Sequence, residues 1–135
     1  MRPHLVLAAL TSLIGTVDAG AFPARMRTFE KVVSAGHTLT VASFSSLDPT
    51  CRSLGPMSVS LIDTAHDGRV QVEEGRDFPS FSTLNTRSRC NSRKVPTTFV
   101  RYTPSPGYTG EDEFALEFVS PGGDVGRARF HITVR

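Results

Sequence analysis

Three histidines beyond residue 19, a scatter of carboxylates, two cysteines and a run of arginines are the side chains of this 135-residue sequence that could do chemistry. His37, His66 and His131 each stand alone in sequence. His66 lies between Asp63 and Asp67, so an Asp-His pair with one of the many serines is arithmetically available. A general base must also sit within hydrogen-bond reach of the proton that it takes. The motifs that fix such geometry (G-x-S-x-G, H-E-x-x-H, a Cys-His arrangement) do not occur. A small hydrolase or metal-dependent enzyme using His66 or His131 is therefore the alternative reading, and no catalytic residue is assigned. Asp63, Asp67, Glu73, Glu74, Glu111, Asp112 and Glu113 supply oxygens of the kind calcium takes. Calcium needs about six to eight oxygens at one point, and no D-x-D-x-D spacing gathers them. Solvated turn carboxylates are the expectation, a calcium-stabilised adhesion repeat is a further alternative, and no metal or cofactor is assigned.

Cys51 and Cys90 form an even pair with no second Cys or His at zinc-ligand spacing. In an oxidising compartment they read as one disulfide, closing a loop of about 40 residues. The chain-entropy relation gives such a link about 4 kcal/mol. Arg87, Arg89, Arg93, Lys94 and Arg101 fall in a stretch with no acidic residue between Asp77 and Glu111. A local positive patch of this kind suits an anionic polysaccharide, phospholipid headgroups or an acidic protein partner of the envelope. The plain alternative is a solvated loop whose arginines serve no partner.

These side chains have to be positioned by strands. Ala128, Phe130, Ile132 and Val134 alternate with Arg127, Arg129, His131 and Thr133, and Phe114, Leu116 and Phe118 alternate with Ala115, Glu117 and Val119. A period of two is the signature of a strand with one buried face. The turn-forming run Ser120-Pro121-Gly122-Gly123-Asp124 between them predicts an antiparallel hairpin. Met57, Val59 and Leu61, then Asp67-Gly68, then Val70 and Val72 predict a second hairpin. Leu39, Val41 and Ser43 mark another strand, Phe99 to Tyr102 a further one, and Thr28 to Val33 a first. Six or seven short strands predict an all-β antiparallel sandwich. The segment at about 75–96 lacks alternation and reads as a long basic loop tethered through Cys90.

Arg2 and His4 precede an apolar run from Leu5 to Ile14 that ends at Val17-Asp18-Ala19. This is the layout of a cleavable secretory signal over residues 1–19, and the run is too short and too diluted to anchor in a bilayer. A single domain over 20–135, periplasmic or extracellular and without a membrane span, is expected. Loss of Arg2 and Asp18 removes one charge of each sign, so the net charge of +2 is unchanged. That small excess disfavours a nucleic-acid partner.

The segment from Arg101 to Phe114, with Tyr102, Pro104, Gly107, Tyr108, Gly110, Asp112 and Phe114, and the closing strand Phe130 to Val134 resemble a bacterial Ig-like or cadherin-like repeat. Such repeats read Y-x-P-x-x-G-[FY]-x-G-x-D-x-F before a Gly-rich hairpin and a last strand. The resemblance covers about the last 35 residues and implies an Ig-like fold. Taken by themselves, Gly107 and Gly110 permit backbone angles that a side chain obstructs, Pro104 and Pro106 fix φ, and Asp112 can accept backbone N–H groups across the corner. The function expected is a non-catalytic exported Ig-like module, a binding or structural accessory of the cell envelope.

Overall fold

Alternation along the C-terminal half becomes strand pairing. The computed structural model describes residues 25–135, so the leader expected at 1–19 lies outside the described residues. In chain order the strands are β1 Met26–Val33, β2 Leu39–Phe44, β3 Ser58–Asp63, β4 Gly68–Asp77, β5 Val95–Pro104, β6 Gly110–Val119 and β7 Val125–Val134. They build two sheets, ordered β1-β7-β6-β3 and β2-β5-β4, which face each other as an Ig-like sandwich. A 3-10 turn at Ser88–Ser92 is the remaining element. Among the described residues no helix is long and apolar enough to cross a membrane.

β6 and β7 form the expected hairpin, with Phe114 opposite Phe130 and Asp112 opposite Ile132. Three other expectations change. The first concerns Asp67-Gly68, which does not turn a hairpin: β3 pairs with β6 and β4 with β5, so the chain passes there from one sheet to the other. The second is β2, where a bulge between Thr40 and Ala42 shifts the phase, so that Phe44 and not Ser43 turns inward. The third is β1, which runs parallel to β7 with Phe29 beside Phe130, an arrangement open to it because nearly the whole described chain separates the two. The basic loop is also shorter than 75–96, since Gly75, Arg76 and Asp77 pair with Thr97, Pro96 and Val95.

The core is a column of rings. Phe29, Phe130, Phe114 and Tyr102 stack in sequence with centroids 5.5, 5.2 and 5.9 Å apart, crossing from the edge of one sheet to the centre of the other. Val100, Leu116 and Ile132 are fully buried around it. A second, smaller core of Leu47, Cys90 and Val95, with Cys51 and Phe81 against it, lies under the loops at one end.

Candidate functional site

The small core exists because three loops meet over it: 45–57 between β2 and β3, 78–94 between β4 and β5, and 120–124 between β6 and β7. Cys51 and Cys90 are joined, with Cα atoms 5.5 Å apart. In the first loop Leu47 bridges Ser53, and Asp48 Oδ1 accepts from Thr50 N, Thr50 Oγ1 and Arg52 N at 2.8, 2.7 and 3.0 Å. The Thr50 hydroxyl and these N–H groups hold the Asp48 carboxyl below its usual value. Cys51 closes the turn with φ at 67°, a left-handed angle rare outside glycine.

The second loop is held by side chains acting as backbone. Asn91 accepts from Phe81 N and donates to Phe81 O, each at 2.9 Å. Arg87 Nε donates to Leu47 O at 2.6 Å, Arg89 to Pro49 O, and Arg93 to Thr50 O at 3.4 Å. The predicted basic patch is thus divided. Arg87, Arg89 and Arg93 converge on carbonyls of the facing loop and reinforce the disulfide, because a sharp turn leaves carbonyls without ladder partners. Lys94 stands over the Phe78 ring at 5.8 Å. Arg101 is elsewhere, on the outer face of β5, with its Nε 3.1 Å from Glu73 and its guanidinium over Phe99.

Above this framework the apolar side chains Leu54, Phe78 and Leu84 are exposed, Leu84 by 95%. A shallow depression lined by Leu54, Phe81, Arg87 and Asp124 joins all three loops. Nothing in the sequence singles out Leu54 or Leu84, since each is one apolar residue in a polar run with no period around it.

The motif residues gather at the opposite end. Asp112 is buried and accepts from His66 N and Asp67 N at 3.0 Å, Glu113 N at 2.8 Å and Tyr102 Oη at 2.7 Å. Burial pushes its carboxyl up, and the Tyr102 hydroxyl with the three N–H groups outweighs burial and holds it below its usual value. Burial together with Asp112 pushes the Tyr102 phenol up. Gly107 and Gly110 have φ of 75° and 135°, Tyr108 Oη donates to Glu111 O at 2.6 Å, and Pro104 and Phe114 are buried. Gly68 at the sheet-crossing corner lies against the Tyr102 ring, where a Cβ would overlap it. These residues build a corner that joins the two sheets.

The outer face of the four-stranded sheet carries the charges. His131 Nδ1 lies 2.6 Å from Glu30 on β1, and its Nε2 lies 3.0 Å from Glu111 on β6. The Glu30 hydrogen bond raises the His131 pKa, opposed by desolvation and aided by the charges of Glu30, Glu111 and Glu113. Arg129 pairs with Glu113 and reaches over Ala115 to Asp63 at 3.1 Å. A histidine and a carboxylate therefore do meet, as the hydrolase alternative requires, with His66 at the rim of the same shallow hollow. Both imidazole nitrogens face carboxylates, on the open outer face of the sheet. His37 is apart, its Nδ1 3.1 Å from Ala35 O. Of the remaining carboxylates considered for calcium, Glu74 accepts from Thr98 Oγ1, and among the described residues no three His, Cys, Asp or Glu side chains are grouped to hold a metal ion.

The fold and this site define an Ig-like sandwich module with a covalently tethered loop end. No family model and no curated protein matches the chain. Among solved structures the chain is similar to amebosin, at 13% identity and a TM-score of 0.45 over 84% of this chain and 100% of that one. It is also similar to PbICP-C, seen in complex with falcipain-2, at 9% identity and 0.38 over 83% and 91%. A 2,6-sialyltransferase of a Vibrionaceae Photobacterium gives 10% identity and 0.32, with 84% of this chain spanning 18% of that one.

Proposed function

We propose that this chain is a non-catalytic, exported Ig-like module that binds a protein partner of the cell envelope through its loop end. The observation that carries the reading is the construction of that end: two loops tied by Cys51–Cys90 and three arginine-to-carbonyl bonds, presenting Leu54, Phe78 and Leu84 to solvent. Loops fixed on a rigid sandwich lose little entropy on docking, and exposed apolar side chains at their tips supply contact area. The disulfide supports export, because such links persist in oxidising compartments.

Capture from envelope extract by the oxidised protein tests the reading. The L54D/L84D pair, both exposed and outside the small core, is expected to abolish capture while leaving the melting temperature within a few degrees. Undiminished capture would discard the loop end as the contact. A second reading, an anionic polysaccharide as partner, draws on Arg89 and Arg93, whose side chains are exposed. It requires that R89E/R93E, and not L54D/L84D, removes binding.

A further inference from the structure

We infer that the open seam between the two sheets, along β1 and β2, is a binding site for a single-chain amphipathic anion of the fatty-acid type. One edge of the sandwich is left ajar there: β1 ends one sheet and β2 ends the other. Between them is a cleft of about 420 Å³, within the range of small-ligand pockets. Four phenyl rings line it, Phe29, Phe44, Phe118 and Phe130. Phe29 remains 41% exposed although it stacks on Phe130, and Phe44 stacks on Phe118 at 4.9 Å. Exposed rings in a concave position are the lining that small-molecule sites use.

The cations are the second half of the argument. The register of β1 on β7 sets Arg27 beside Ala128, Phe29 beside Phe130 and Lys31 beside Ile132, so all three follow the inward face of β7. Inward positions of a sandwich strand are ordinarily apolar. Here a guanidinium and an ammonium flank the ring of Phe29 at the mouth of the cleft. The ion pairs of the described residues use Arg101, Arg127, Arg129 and His131, not Arg27 or Lys31. Among the described residues no acidic side chain lines the cleft, and Arg127 at its rim is neutralised by Glu117 at 2.9 Å. A single inward charge on an edge strand serves to prevent pairing with another chain. Two cations around a phenyl ring over an aromatic hollow, with Arg25 as a third in the lining, exceed that need. Among the described residues the lining side chains offer donors and apolar surface but, apart from Ser43, no hydrogen-bond acceptor. That complement fits a carboxylate head with a hydrocarbon body. A peptide strand would instead pair with the free backbone edge of β1 or β2 and make little use of the ring-lined hollow.

Calorimetric titration of the mature, oxidised protein with decanoate below its micelle concentration tests the site, with decanol and decyltrimethylammonium as neutral and cationic counterparts. Saturable one-to-one binding of decanoate is expected, at least tenfold weaker for decanol and undetectable for the ammonium. R27E/K31E is expected to weaken decanoate binding at least tenfold, and R27E alone, at an exposed position, to shift it in the same direction if the double variant disturbs β1. L54D/L84D should bind decanoate like the parent, which separates this site from the loop end. Absent saturation, equal affinity for all three probes, or binding of an acidic aromatic peptide without decanoate would each overturn the inference.

Discussion

Asp112 shows how one side chain can hold a corner. Its four hydrogen bonds come from two strands and from the crossing between sheets, so no neighbour can replace it. D112N keeps the shape but sets an amide NH2 against donors, and a hydrogen bond to a charged group contributes about 1.5–3 kcal/mol. Chemical denaturation should show a loss of that size for D112N and again for Y102F, which removes the phenol's bond to the same carboxylate. The carboxyl titrates below its usual value in the folded state. Its contribution is therefore complete above about pH 4, the ordinary carboxylate range, and is lost as pH falls through the lower folded value. The D112N variant should lack that acid limb, and identical acid profiles would refute the assignment. Cys51 makes a different residue-scale case, because its left-handed backbone costs an L residue about 1 kcal/mol. With the disulfide removed in both, C51G/C90S should be more stable than C51S/C90S by about that amount, and equal stability would show the turn to be unstrained.

At the scale of the element, β1 depends on charge as well as on its ladder with β7. Glu30 reaches His131 from β1, and Glu111 and Glu113 face the same imidazole from β6. The raised folded pKa means that this attachment is fully present below about pH 6.5, the ordinary imidazole value, and fades as pH rises through the folded value. Hydrogen exchange of the β1 amides should accelerate across that window in the parent and be flat in H131A. Exchange independent of pH, after correction for intrinsic rates, would show that β1 is held by its backbone alone. The same comparison of strands explains what the sequence could disclose. β6 and β7 were legible because each buries one face fully, so Phe114, Leu116, Phe130 and Ile132 alternate with charges. The second half of β4 was not, because Glu73 to Asp77 is a strand by virtue of pairing with β5 and carries no apolar period. Asp67-Gly68 signals a turn truthfully, yet the partners of β3 and β4 are chosen by distant segments, which a local signal cannot report. In the site, the clustering of Arg87, Arg89 and Arg93 was visible, but the carbonyls of residues 47–50 that they meet are about 40 positions away in the chain.

Viewed whole, the molecule has two cores of unequal size with separate duties. The larger, built on the ring column from Phe29 to Tyr102, joins both sheets, and the smaller around Leu47, Cys90 and Val95 serves only to fix the loops. Stability need not be uniform across such a structure, since a subsidiary cluster can open while the main one persists. The disulfide stabilises by about 4 kcal/mol through loop closure, and it lies wholly within the smaller core. Reduction should therefore lower the melting temperature yet leave the far-ultraviolet signature of the sheets intact at room temperature. Trypsin should then cut first at Arg87, Arg89 and Arg93, which in the oxidised protein are held against the facing loop. Cleavage of the reduced protein spread evenly along β5, β6 and β7, or loss of sheet signal with the thiols, would mean that the two cores melt as one. In that case the tethered end would belong to the fold itself, and its rigidity could not be read as preparation for a partner.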